Sequence, residues 1–138
     1  MNLHKRTVIH RHKIIIRARY VETDQAGVVH HSVYPIWFEM GRTELLRAAG
    51  LAYKDLEAAG IFFVAVELFV KYHRPAKYDE KLELVTTCLE VTGCKIKHTY
   101  QLTRCCDRVL LAEGWSILAC VDAKGKIRRI PEGLGSGN

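Results

Sequence analysis

From Gly60 almost to the end of this chain, apolar side chains recur at every second residue. Ahead of Gly60, after one short alternating stretch, they recur at helical spacing over a single long segment. A period of two sends neighbours to opposite faces of a strand, and a period near 3.6 lines residues along one stripe of a helix. Phe62, Val64, Val66, Leu68, Val70 and Tyr72 share one phase until Pro75 ends the run. Residues 81–91 read as the next strand, and residues 94–104 alternate Ile96, His98, Tyr100 and Leu102 with Lys95, Lys97, Thr99 and Gln101. Residues 109–121 place Val109, Leu111, Trp115, Ile117, Ala119 and Val121 in phase. Asp122 to Gly125 has turn composition, and residues 127–130 follow as a last short strand.

In the first half, residues 13–20 predict a strand with Ile14, Ile16, Ala18 and Tyr20 on one face. A helix is expected to start near Ser32, a favoured N-cap type, with Pro35 in its first turn where the missing N–H is harmless. Val33, Ile36, Trp37, Met40 and Gly41 form its buried stripe, Leu45, Ala48 and Ala49 extend it, and Gly50 stops it after about five turns. A short second helix over residues 53–59 is closed by Gly60. One strand, one long apolar helix and four or so long antiparallel strands predict an α+β fold. The sheet must cover one face, and the helix lying across it does so. With 138 residues the chain suits a single domain, residues 1–138 with a core over about 13–131. One such layer buries little core, so pairing with a second copy is expected.

Composition narrows the function classes. Hydrophobic residues make up 49% and charged residues 26%, which excludes a disordered chain. No apolar run approaches the ~20 residues of a membrane span, and the N-terminal region has no secretory h-region, so the expectation is a soluble, cytoplasmic protein. Five cysteines, without a C-x-x-C pair, read as reduced thiols. The net charge of +6 attracts anions of every kind but sits largely in two end runs, 4–13 and 124–129. No signature of a nucleic-acid-binding module accompanies it, so nucleic acid is not an expected partner.

The chemically informative stretch runs from Asp24 to Tyr34. It sets a carboxylate in a loop with Gly27, directly ahead of a helix N-terminus. Unpaired N–H groups and positive partial charge at a helix start can polarise a carbonyl, and a nearby carboxylate can act as base or nucleophile. The same residues also describe an ordinary turn, Asp at its first position and Gly three residues on. The adjacent His30 and His31 lack the Cys or carboxylate spacing of a ligand set, so no metal is expected. Glu39 is an alternative acid, although pairing with Arg42 at i+3 explains it equally. No G-x-S-x-G elbow is present. Cys94, after Gly93, reads as packing, with a reactive thiol as the alternative.

Residues 20–44 contain D-x-x-G-V-V-x-H-x-x-Y followed by E-x-x-R-T-E, and residues 72–79 read Y-x-R-P-A-x-x-D. Together with Val121-Asp122 and Arg129-Ile130-Pro131, these resemble the 4-hydroxybenzoyl-CoA thioesterase-like hotdog proteins, especially their bacterial acyl-CoA thioesterase branch, over roughly residues 13–131. The resemblance implies a hotdog fold, an antiparallel sheet wrapped around one long helix. It implies hydrolysis of acyl-CoA to free acid and coenzyme A, with no cofactor beyond the coenzyme A of the substrate. Asp24 takes the carboxylate position, Gly27 keeps the loop tight, a backbone N–H near His30 or His31 holds the thioester oxygen, and His31 and Tyr34 shape the site. Lys71, Arg74 and Lys77 are placed to meet the coenzyme A phosphates. The expected assembly is a homodimer, or a homotetramer of two dimers, with sites at the dimer interface. His30 stands where an aromatic, often Tyr, is common and Gln25 where a small residue is common, and both bear on the acyl pocket. The alternative with the same fold is a module that binds acyl-CoA or an acyl carrier protein without hydrolysis. A hydratase is a further rival, but its His–acid motif is not found.

Overall fold

The computed structural model describes residues 10–132. The part of the basic N-terminal run before His10, and the closing Gly-Leu-Gly-Ser-Gly-Asn, lie outside the described residues. In chain order the elements are β1 (Arg11–Arg17), a 3-10 turn (Tyr20–Glu22), α1 (Val33–Ala48), α2 (Tyr53–Ala58), β2 (Phe62–Tyr72), β3 (Lys81–Thr92), β4 (Lys95–Arg104) and β5 (Leu110–Val121). The five strands form one antiparallel sheet in the order β1-β3-β4-β5-β2. β1 and β2 are therefore its edges, and α1 lies across one face. No helix among the described residues is long and apolar enough to cross a membrane.

The sheet face beneath α1 is built by alternation. On β4, Ile96, His98, Tyr100 and Leu102 are all buried, as their spacing predicts. β3 contributes Leu82, Leu84, Thr86 and Cys88. On β5 the predicted phase fails. Leu102 pairs with Ala112 but Thr103 pairs with Leu110, so Leu111 is an extra residue, a β-bulge. Beyond it the helix side carries Ala112, Gly114, Ser116 and Leu118, opposite Leu102, Tyr100, His98 and Ile96. Trp115 points the other way and stacks on Phe69 with ring centroids 6.0 Å apart, under the Lys97 ammonium. β2 repeats the effect, because Ala65 pairs with Leu118 and Glu67 with Ile117, leaving Val66 as the bulge. Phe62 and Val64 therefore do not share a face with Leu68, Val70 and Tyr72. At the ends, β1 stops at Arg17, so Tyr20 is exposed in the 3-10 turn, and residues 127–130 give a single bridge, Ile127 to Val121, rather than a strand.

The buried stripe of α1 is Val33, Tyr34, Trp37, Phe38, Gly41 and Leu45. Ile36 and Met40, predicted inside, are exposed, because Tyr34 and Phe38 take the sheet-facing positions beside Trp37. Phe38 stacks flat on Tyr100 at 4.2 Å. Gly41 permits the close approach: a Cβ there would stand 2.2 Å from Thr86 Oγ1 and 2.9 Å from Leu84 Cδ2. A second cluster joins Leu45 and Leu56 to Ile61, Ile96 and Leu118.

Polar groups are sandwiched between helix and sheet. Arg42 turns inward and donates from Nη1 to Tyr100 Oη at 2.9 Å, rather than pairing with Glu39, and Tyr100 Oη lies 2.5 Å from Ser116 Oγ. His98 is 4% exposed and its Nδ1 has no partner among the described residues. Burial, with the charge of Arg42 beside it, pulls the imidazole from the ordinary 6.5 down to about 3.

Two outcomes follow from this packing. Gly41→Ala should lower unfolding stability by about 1–3 kcal/mol through overpacking, and Thr86→Ala in the same chain should recover most of that loss. Strictly additive effects on the urea midpoint would show that the two residues do not meet. The second concerns acid. Below about pH 6.5 the unfolded chain takes up a proton at His98 that the folded chain refuses until about pH 3. The stability held by neutral His98 is therefore complete above pH 6.5 and is lost as pH falls toward 3, at up to about 1.4 kcal/mol per pH unit. Urea midpoints measured from pH 7 to 4.5 should fall less steeply in His98→Gln than in wild type, and equal slopes would contradict this.

Candidate active site

The loop carrying Asp24 leaves the sheet where β1 ends. Ala18 is tied to the start of β3 through its N–H to Glu80 O at 3.0 Å. After the 3-10 turn the chain makes a small hairpin, with Thr23 bridged to Val29 and Val28 bridged to Lys77. Its tip is a four-residue turn in which Gly27 N–H donates to Asp24 O at 3.0 Å. Gly27 has φ +80°, a conformation that disfavours any side chain there. The stretch is thus the ordinary turn, with Asp24 at its first position and Gly27 at its fourth.

The Asp24 side chain is exposed. Its Oδ1 accepts the Ala26 N–H at 2.8 Å, and Oδ2 accepts no hydrogen bond from the described residues. It borders a solvent-open cleft of about 1060 Å³ walled by Tyr20, Glu22, His30, Val33 and Tyr78. Tyr20 and Tyr78 meet edge to face at 5.6 Å.

At the helix entrance the backbone N–H expected near His30 or His31 is narrowed to one residue. The His30 N–H is committed to Glu22 O at 2.9 Å, so it is not available to a thioester oxygen. Ser32 occupies the N-cap position, yet its hydroxyl contacts His30 Nδ1 at 2.7 Å instead of a helix N–H, and the Ser32 N–H also points to that nitrogen at 3.2 Å. The His31 N–H donates to no group among the described residues. The His31 carbonyl accepts Tyr72 Oη–H at 2.9 Å, which pins this residue to the end of β2. The two imidazoles lie 4.2 Å apart.

Asp24, Gly27 and His30 therefore share the main cleft. His31, Tyr34 and Arg74 border a neighbouring hollow of about 230 Å³ with Tyr72 and Pro75. Tyr34 is 2% exposed and lines the hollow from below, its Oη accepting the Ala76 N–H at 3.2 Å and its ring edge to face with Trp37 and Tyr72. Burial raises the pKa of this phenol, so it stays protonated. The three cations expected to meet coenzyme A are not gathered in one cavity. Arg74 is in the hollow, Lys77 flanks the loop beside Val28, and Lys71 sits opposite Glu113 on the outer face of β2. Cys94 is at the β3–β4 hairpin, at the opposite end of β3 from the loop. Among the described residues no group of three or more His, Cys, Asp or Glu side chains could hold a metal ion.

A family model described as the thioesterase-like superfamily matches residues 16–136, nearly the whole chain. The chain belongs to the thioesterase-like superfamily. It is similar to the acyl-CoA thioester hydrolase YbgC of Escherichia coli, 32% identical over 120 residues that cover 86% of this chain and 89% of that one. Among solved structures, the Thermus thermophilus protein TT1821 superposes with a TM-score of 0.81 at 41% identity, covering 87% of this chain and 91% of that one. A DHNA-CoA thioesterase from Staphylococcus aureus superposes with a TM-score of 0.83 at 29% identity, covering 86% and 80%. The fold is the hotdog fold, and the enzymatic class is thioester hydrolase.

Among the cleft residues that sequence reasoning missed are Tyr20, Glu22 and Tyr78. Glu22 is 7% exposed, the one buried carboxylate among the described residues. The signal that could have found it was Trp37, an indole N–H on a buried helix face that needs an acceptor.

Proposed function

We propose that this member of the superfamily hydrolyses acyl-CoA to the free acid and coenzyme A, with Asp24 as the reacting carboxylate. The observation that carries the reading is the Asp24 side chain. One oxygen is held by the loop and the other is uncommitted, at the lip of a cleft next to a helix entrance whose His31 N–H is also uncommitted. As base, Asp24 takes a proton from water while the water oxygen attacks the thioester carbon. As nucleophile, it attacks that carbon itself to give an anhydride, which water then opens. Either way the carbonyl oxygen gains negative charge that the His31 N–H and the first turn of α1 stabilise. The C–S bond breaks, and the thiolate leaves as coenzyme A. The names of the relatives support acyl-CoA as substrate. Arg74, beside His31, is the cation we assign to the coenzyme A phosphates. All five cysteines are free, which fits a reducing, cytoplasmic setting.

The assembly we propose is a homodimer at least, paired through β2. This strand is a sheet edge with Val64, Val66, Leu68, Phe69 and Tyr72 all about half exposed. A long apolar edge left uncovered would aggregate, and a second copy in antiparallel register would continue the sheet.

The functional reading is checked by coenzyme A release from a panel of short, long and aromatic acyl-CoAs. Folded Asp24→Asn should lose about a hundredfold or more in kcat, and Arg74→Ala should raise KM for the coenzyme A esters without a matching loss of kcat. Full activity in Asp24→Asn would remove Asp24 from the chemistry, and acyl-CoA bound without turnover by wild type would favour the non-hydrolytic module. For the assembly, sedimentation should give at least twice the mass of one chain, and Val66→Lys with Leu68→Lys should give the monomer. A monomeric wild type would overturn the β2 pairing.

A further inference from the structure

Glu22 stands two residues before Asp24, in the wall of the same cleft, and all of its polar groups are used. Oε1 accepts the Arg19 N–H at 2.7 Å. Oε2 accepts Trp37 Nε1–H at 3.1 Å and Arg19 Nη2–H at 3.3 Å. Its backbone carbonyl accepts the His30 N–H at 2.9 Å, and its own N–H donates to Arg19 O at 3.0 Å. One residue thus joins the chain before the catalytic loop, the chain after it and the second turn of α1. The 23–29 hairpin is suspended between these ties. His30, fixed by the Glu22 carbonyl, immediately precedes the His31 N–H assigned to the oxyanion.

We propose that Glu22 is the positioning residue of this active site, fixing the Asp24 hairpin and the His31 N–H against helix α1 through its bond to the Trp37 indole. The inference rests on the role proposed above for Asp24. Glu22 is not itself the base, because both of its oxygens are occupied and its exposure is 7%. Burial alone pulls its pKa up, but the Arg19 N–H, the Arg19 guanidinium and the Trp37 indole together outweigh burial and hold it below the ordinary value. The carboxylate is therefore charged and makes charge-assisted bonds, which are stronger than neutral ones. Trp37 is 1% exposed, so its N–H is left orphaned in the core when the acceptor is lost. A bond of this kind fixes geometry to the tolerance that a reacting carboxylate needs.

The test uses the full chain with an acyl-CoA that wild type turns over, and two variants, Glu22→Leu, which has no acceptor for the indole, and Trp37→Phe. In each variant kcat should fall about tenfold to a hundredfold while KM changes by less than about threefold. The double variant should be no worse than the more impaired single one, because both remove the same tie. Amide exchange of residues 23–31 should rise about tenfold in Trp37→Phe and in Glu22→Leu with β4 unchanged, a readout independent of turnover. Unchanged exchange in the hairpin overturns the proposal whatever the activity. So does a loss of kcat in Glu22→Leu that Trp37→Phe does not share, which would make Glu22 act on the substrate directly. A wild type inactive on every acyl-CoA, with the predicted exchange behaviour, would remove the hydrolytic reading and leave the positioning role standing. An active wild type with an active, folded Glu22→Leu would do the reverse.

Discussion

The closeness of α1 to the sheet governs much else in this molecule. Gly41 over Thr86 and Leu84 sets the spacing midway along the helix, and Phe38 flat on Tyr100 fills the adjoining layer. At that spacing Trp37 falls against the chain between β1 and α1, where its indole N–H reaches Glu22. The N-terminal end of the helix is then held from three sides: by Glu22, by Tyr72 Oη on the His31 carbonyl, and by Tyr34 beneath the Ala76 N–H. Packing in the middle of the helix is in this way continuous with the geometry of the Asp24 loop at its end.

That arrangement divides the work of the site. The groups proposed to react, the Asp24 carboxylate and the His31 N–H, belong to an exposed turn and a helix entrance whose remaining backbone groups are largely satisfied. Their supports are buried and aromatic. Exposed reacting groups on rigid supports are what a hydrolase of a flexible, water-accessible ester needs, because water has to reach the carbon while the carboxylate keeps its place. The cleft beside Asp24 is open to solvent, and its walls carry tyrosine rings rather than a long apolar channel.

The sequence made much of this legible. The period change at Gly60 and the single long helix sufficed for the α+β fold, whereas the turn at Asp24–Gly27 was ambiguous by itself and only the motif resemblance singled out Asp24 as the candidate acid. β4 was read correctly along its inward face because its own chain carries no extra residue. β2 and β5 were misphased because Val66 and Leu111 are bulges, and neither leaves a Gly or Pro marker in the chain. Ile36 and Met40 satisfy helical spacing as well as Tyr34 and Phe38 do. Only the sheet, with Tyr100 waiting to stack, selects between the two stripes. Glu22 was invisible as a buried group because its partner, Trp37, is fifteen residues away. The dispersal of Lys71, Arg74 and Lys77 follows from strand alternation and from the turn after Pro75, which separate residues that are close in sequence.

Breakage of the thioester beside Asp24, at the entrance of α1, is the step proposed for this protein. A crystal structure of Asp24→Asn with an acyl-CoA bound addresses it without reliance on rates. The thioester carbonyl oxygen should lie within about 3 Å of the His31 nitrogen, with its carbon facing the substituted side chain. A thioester bound elsewhere, with the 23–31 segment unoccupied, would contradict it.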